Sequence, residues 1–168
     1  DIGVTGVQTC ALPICEAGAD LVKIEGGREI LPMVQAIVAG GIPVIGHLGM
    51  LPQRVVEEGG YRIKGKSGTE AERLAADAQA LSDAGVQAIV LELVHAPLAA
   101  QITRSVACPT IGIGSGKGCD GNILVFHDLV GLFPWFRPKF ATPRPIWPER
   151  LCGRLENSRG KCAAIRRI

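Results

Sequence analysis

The hydrophobic positions of this chain change period as it runs. Residues 21–24, 43–47, 88–92 and 110–113 are short apolar runs rich in Val and Ile, the pattern of buried strands. Between them apolar residues recur at helical spacing. Residues 28–38 form one such stretch, closed by the turn Ala39-Gly40-Gly41. Thr69, with Glu72 three residues on, reads as a capping box. Ala71, Leu74, Ala75, Ala78 and Leu81 then make one apolar stripe, which ends near Gly85. A further helix is expected over residues 97–106.

Strand starts near 21, 43, 88 and 110 are 22, 45 and 22 residues apart, room for a helical crossover each time. Apolar strands joined by amphipathic helices are parallel, because the crossover returns the chain to the same end of the sheet. The expected fold class is therefore α/β, either a doubly wound sheet or part of a (β/α)8 barrel. Four or five such units make about half of a barrel of roughly 250 residues.

Composition sharpens this picture at the ends. The 168 residues are 47% hydrophobic and 20% charged, enough to bury a core, and contain no apolar run of membrane-spanning length. The net charge of +2 is too small to argue for nucleic acid or a membrane surface. It is also unevenly held: residues 141–168 carry 7 basic and 2 acidic groups, and residues 1–140 carry 11 and 14. Four of the six cysteines (Cys10, Cys15, Cys152, Cys162) lie near the ends, and none pairs as C-x-x-C, so neither a disulfide framework nor a structural zinc site is expected. Residues 1–15 lack any structural period and a basic signal-peptide region; residues 4–14 resemble the conceptual translation of a sequencing-adapter oligonucleotide. Residues 141–168 mix Pro, Arg, Cys and Trp without an apolar face, as a frameshifted or disordered basic tail does. The expected organisation is a non-native leader at 1–15, a barrel domain at 16–140 and that tail at 141–168.

Chemistry in parallel α/β folds gathers at the carboxyl ends of the strands. The first three strands here end in polar residues that a buried strand otherwise avoids. Lys23 and Glu25 share one face by the period of two, opposite Val22 and Ile24; they are either site residues or a surface ion pair. His47 ends the second strand, as a site residue or a core or loop histidine. Glu92 ends an Ile-Val-Leu run, where desolvation disfavours the charged carboxylate and suits a general base.

The loops say less. Residues 111–118 form a Gly-rich turn that fits neither Walker nor dinucleotide spacing, so an anion-binding loop and a plain tight turn both stay open. Residues 59–66 form a basic, Gly-hinged stretch that suits either a lid over an anionic substrate or a solvated connection. His127-Asp128 is a weak metal-pair signal, and His95 reads as a loop residue.

Taken together, several blocks resemble the ketopantoate (3-methyl-2-oxobutanoate) hydroxymethyltransferase family. They are Gly18-Ala19-Asp20-Leu21-Val22-Lys23-Ile24-Glu25-Gly26-Gly27, Gly46-His47-Leu48-Gly49 with Pro52-Gln53, Gly59-Gly60-Tyr61-Arg62 and Ile89-Val90-Leu91-Glu92. The loop at 112–116 with Cys119-Asp120-Gly121, His127-Asp128 and Pro138-Lys139-Phe140 continue the order, over some 125 positions.

The resemblance implies a (β/α)8 TIM barrel of the phosphoenolpyruvate/pyruvate type, of which the first three or so strands have no counterpart in this chain. It implies transfer of a hydroxymethyl group from 5,10-methylenetetrahydrofolate to 3-methyl-2-oxobutanoate, with Mg2+, in pantothenate biosynthesis. A cytoplasmic homo-oligomer acting on small molecules, with no nucleic-acid or membrane partner, goes with it. By resemblance Glu92 is the catalytic acid/base, Glu25 a metal ligand, and Lys23 and His47 substrate-binding residues; two further metal-site aspartates have no counterpart here. Leu51, Lys64, His95 and Ser115 replace the family's usual Thr, Gln, Pro and Ala. The 168-residue chain itself is expected to be inactive. Two other functions remain: a related metal-dependent barrel C–C lyase acting on another 2-oxo acid, and a non-catalytic module whose basic tail binds an acidic partner.

Overall fold

The computed structural model describes residues 17–52, 55–56, 59–130 and 140. The expectations for residues 1–15, Gln53, 138–139 and 141–168 lie outside those residues. The chain divides into two compact units, Asp1–Ile123 and Leu124–Ile168.

In the first unit β1 (Val22–Glu25) leads through a 3-10 turn (Arg28–Ile30) into α1 (Leu31–Ala39), then β2 (Val44–Gly49), α2 (Gly68–Asp83), β3 (Ala88–Glu92), α3 (Ala96–Ser105), β4 (Thr110–Ile113) and β5 (Gly121–Asn122). All five strands are parallel and lie side by side in chain order. A doubly wound sheet reverses its strand order at a switch point; this sheet never does, so it has the winding of a (β/α)8 barrel. In the second unit α4 (Phe126–Val130) carries His127 and Asp128.

The register sorts the strands into two faces. Val44, Leu48, Ile89 and Leu91 turn one way and pack against Val34 and Ile37 of α1, Ala78 and Leu81 of α2, and Leu98, Ala99 and Ile102 of α3, all buried. Burying each of the Val, Leu and Ile side chains is worth about 1.5–3 kcal/mol, which makes this helix-facing layer the main source of stability. Gly46 lets α2 settle on the sheet, since a Cβ there would stand 3.0 Å from Leu81 Cδ1.

Two helix starts differ from the sequence pattern. The helix expected over 28–38 opens as a 3-10 turn and is regular only from Leu31. The capping box shifts by two residues. Ser67, not Thr69, is the N-cap, its Oγ accepting from Glu70 N at 3.4 Å, while Glu70 Oε2 accepts from Gly65 N at 2.7 Å. Two overlapping Ser/Thr-x-x-Glu frames compete here. The earlier one wins because its glutamate also satisfies the preceding loop.

β5 escapes the sequence pattern because it is only two residues long. Its anchor is Asp120, whose Oδ2 accepts from Thr110 N at 2.8 Å and from Thr110 Oγ1 at 3.1 Å. These bonds, the backbone one foremost, hold the Asp120 carboxyl below its ordinary value of 3.8. A carboxyl lowered in the folded state stabilises the fold above its unfolded value and loses that contribution as pH falls through the folded value. Acid titration should therefore lower the melting temperature less below pH 3.8 in Asp120→Asn than in the unaltered chain. Identical acid profiles would show that the Thr110–Asp120 clasp carries no pH dependence.

Candidate active site

On the face of the sheet opposite the helices, the register collects the polar strand ends. Glu25 pairs with His47 across β1 and β2. His47 pairs with Val90, and Glu92 lies two residues beyond Val90, so all of these turn to one face. Lys23, two residues before Glu25, joins them.

His47 is the hub. Its ring is 1% exposed. Nδ1 lies 3.3 Å from Lys23 Nζ and 3.5 Å from Glu25 Oε1, and Nε2 lies 3.2 Å from Glu92 Oε2. Lys23 Nζ in turn donates to Glu25 Oε1 at 3.3 Å. Lys23 and Glu25 are thus an ion pair and at the same time neighbours of His47 and, through it, of Glu92. The lysine is half-exposed and the two carboxylates mostly covered, which leaves a cation at the mouth and acids behind it. Among the described residues, two buried atoms of this cluster lack a hydrogen-bond partner: Glu25 Oε2 and His47 Nε2. The latter sits within ion-pair distance of Glu92 without the alignment of a hydrogen bond. Buried polar atoms of this kind are costly unless something else meets them.

The backbone that carries Glu92 is held from three sides. Glu92 O accepts from Met50 N at 2.8 Å, Leu93 N donates to Ile113 O at 2.8 Å, and Lys64 N donates to Leu93 O at 2.8 Å. Leu93 adopts φ 49°, an uncommon conformation for a residue with a side chain. The fully buried Ser115 stabilises it: Oγ donates to Leu91 O at 2.7 Å and accepts from Val94 N at 2.9 Å, bracketing residues 92 and 93. Ser115 is therefore a brace for the backbone that carries Glu92.

The loops resolve into structural roles. In the Gly-rich turn, a Cβ on Gly116 would stand 2.6 Å from Ala96 Cβ, and one on Gly118 2.5 Å from Ala100 Cβ. Those glycines let the turn lie flat on α3, so close packing accounts for them. Lys64 and Gly65 are fixed at the end of the 59–66 stretch, Lys64 O accepting from His95 N at 2.8 Å and Gly65 N donating to Glu70. That end has no hinge, and the lid role is not supported there. Arg62 and Lys64 instead line a cavity of about 240 Å³ together with Gly26, Gly27, Gly49 and Asp77. His95 takes the N-cap position of α3 without a side-chain cap bond.

Sequence reasoning missed Asp77. It is buried on α2, and Oδ1 accepts from Arg28 Nε at 2.7 Å and Arg28 N at 3.3 Å. An acid spaced i+3 from Leu74 and i−4 from Leu81 along the apolar stripe was the available signal.

Among the described residues, no group of three or more His, Cys, Asp or Glu side chains is arranged to hold a metal ion. Cys108 and Cys119 are free thiols. No helix of the described residues is long and apolar enough to cross a membrane.

Comparison with known proteins bears on the same residues. The 3-methyl-2-oxobutanoate hydroxymethyltransferase of Moorella thermoacetica is 54% identical over 146 residues, which cover 87% of this chain and 54% of that protein. The proteins of the same name from Cenarchaeum symbiosum and Oleidesulfovibrio alaskensis are each 54% identical, over 128 and 126 residues, covering 76% and 75% of this chain and 49% and 44% of theirs. The chain thus spans about half the length of the curated relatives it matches. The family model for ketopantoate hydroxymethyltransferase matches residues 4–144, and with that match the chain belongs to the ketopantoate hydroxymethyltransferase family.

Proposed function

We propose that the Lys23–Glu25–His47–Glu92 cluster is the substrate-binding and proton-transfer part of a site that transfers a hydroxymethyl group from 5,10-methylenetetrahydrofolate to 3-methyl-2-oxobutanoate. The observation that carries this reading is the convergence itself. Three polar side chains, two from β1 and one from the end of β3, meet around the buried imidazole of His47 on β2, each 3.2–3.5 Å from the ring.

The division of labour follows from chemistry and exposure. Lys23, half-exposed at the mouth, binds the carboxylate of the 2-oxo acid. Glu92, mostly covered, takes the proton from the carbon next to the keto group; the C–H electron pair moves into an enolate, and that carbon forms the new C–C bond to the one-carbon unit. Both C–N bonds of the methylene bridge break, and water supplies the hydroxyl. The proton held by Glu92 and one from the water go to the two folate nitrogens, so that tetrahydrofolate leaves. His47 orients the two carboxylates from between them, and its burial keeps bulk water from the ring.

Glu25 Oε2, buried without a hydrogen-bond partner, fits as one oxygen ligand of a magnesium ion. The described residues do not complete such a site. When bound, the ion would supply positive charge to the developing enolate oxygen. The 168-residue chain by itself does not complete the transfer. The whole enzyme works in the cytoplasm as a homo-oligomer on small molecules.

The experiment is a titration of the isotope-labelled chain with 3-methyl-2-oxobutanoate, followed by NMR. Saturable shifts should cluster at Lys23, Glu25, His47 and Glu92. An absence of saturable binding, or shifts confined to the turn at 112–118, sinks the reading. Turnover of labelled keto acid with the folate donor and magnesium should stay at background; a rate above it would show that the chain completes the transfer.

A further inference from the structure

We propose that Asp77 is a positioning residue for the Glu25 carboxylate, acting through the Gly26-Gly27-Arg28 turn. The inference rests on the reading of Glu25 as a site residue and adds a helix residue that touches none of the cluster.

The turn that follows Glu25 is held at both ends. On the strand side Gly26 N donates to His47 O at 3.2 Å, which extends the β1–β2 ladder one residue past Glu25. On the helix side the Asp77 carboxylate receives both the main-chain N–H and the guanidinium of Arg28. Arg73, one helical turn earlier, lies with Nε 3.6 Å from Asp77 Oδ2. A buried carboxylate met by a backbone amide and an arginine is a directional tie, because the bonds are charge-assisted and the carboxylate itself is shielded from water while the guanidinium stays half-exposed.

Between the two ties the chain has no slack. Gly26 has φ 137°, open only to glycine without strain. At Gly27 a Cβ would stand 2.5 Å from Asp77 Cγ, so the backbone passes against the carboxylate itself. The direction of the chain at Gly26 sets where the Glu25 side chain leaves β1. That direction brings Oε1 to within 3.5 Å of His47 Nδ1 and 3.3 Å of Lys23 Nζ. Asp77 thus fixes a carboxylate on the far face of the sheet by fixing the turn behind it.

A mere helix-to-sheet tie would also stabilise the fold, so the test reads the cluster. His47 ring signals are recorded by NMR in the full chain, in Glu25→Gln, in Asp77→Asn and in the double variant. Glu25→Gln should displace the ring signals through direct contact. Asp77→Asn should displace them in the same direction and by a comparable amount, and the double variant should move them no further than Glu25→Gln alone. Methyl signals of Leu91 and Ile102 should stay in place, marking an intact core. Ring signals unmoved by Asp77→Asn, or displacements that add in the double variant, would overturn the proposal. Should Asp77→Asn fail to fold, Arg28→Ala removes the 2.7 Å contact at a half-exposed side chain, and an unmoved His47 ring there counts against the proposal equally. A failed keto-acid titration would remove the functional reading and leave this result standing.

Discussion

Gly49→Ala should cost the fold roughly 2–6 kcal/mol, the sum of about 1–3 for a side chain at a strained φ and about 1–3 for overpacking. Gly49 ends β2 with φ 99°, and a Cβ there would stand 2.2 Å from Glu92 O and 2.8 Å from Val94 Cγ2. Neither neighbour can yield freely. Glu92 O is held by Met50 N, and Val94 N by Ser115 Oγ. Gly59→Ala is the matched control: its φ is 72°, and among the described residues a Cβ there meets nothing within 4 Å. The control should lose only the backbone term, about 1–2 kcal/mol. Urea unfolding midpoints of the two variants decide the matter. Equal losses would mean that the contact with Glu92 O relaxes at no cost, and that the end of β3 is less firmly placed than its hydrogen bonds imply.

That contrast explains what the sequence could and could not reveal. The strands were legible because burial selects Val, Ile and Leu in short runs; β3 and β4 fall on the expected residues, and β1 and β2 within two residues of them. The candidate site was legible for the opposite reason. A charged residue closing an apolar run is expensive, so Glu92, Glu25, Lys23 and His47 each stood out alone. Their convergence is a property of register, which follows from a parallel sheet with strands in chain order. What stayed hidden depends on contacts between distant segments. Asp77 stands in the apolar stripe of its helix as an out-of-place acid, but what it holds shows only when Gly27 is laid against it. The glycines at 116 and 118 left an anion-binding loop and a plain tight turn both open, because nothing in their spacing reveals Ala96 and Ala100 behind them. Ser115 reads as a small loop residue until its hydroxyl is seen bracketing the strained Leu93. Resemblance marks such positions as usual or unusual; only packing says why.

Lys23→Met should weaken 3-methyl-2-oxobutanoate binding about 10- to 150-fold, while Glu92→Gln leaves it within about threefold. A charge-assisted contact is worth about 1.5–3 kcal/mol, and each 1.4 kcal/mol is a factor of ten in affinity. The upper part of the range is expected for Lys23, because its loss also unmasks Glu25. Oε1 of that residue lies 3.3 Å from the lysine Nζ. With the ammonium gone, a bare carboxylate would face the incoming carboxylate of the keto acid. Stability should hardly change, since an ion pair with one half-exposed partner contributes less than about 1 kcal/mol. The binding loss would therefore not be a folding effect. Glu92→Gln preserves shape and one carbonyl acceptor beside His47 Nε2, and it removes negative charge near the ligand; binding should hold, while the group that accepts the proton is gone. Isothermal titration of both variants, with melting curves as the check on folding, separates the two roles. Unchanged affinity in Lys23→Met would return Lys23 and Glu25 to the status of a surface ion pair. Equal losses in both variants would mean that the cluster binds the keto acid as one unit, and the assignment of carboxylate binding to Lys23 and proton transfer to Glu92 would have to be abandoned.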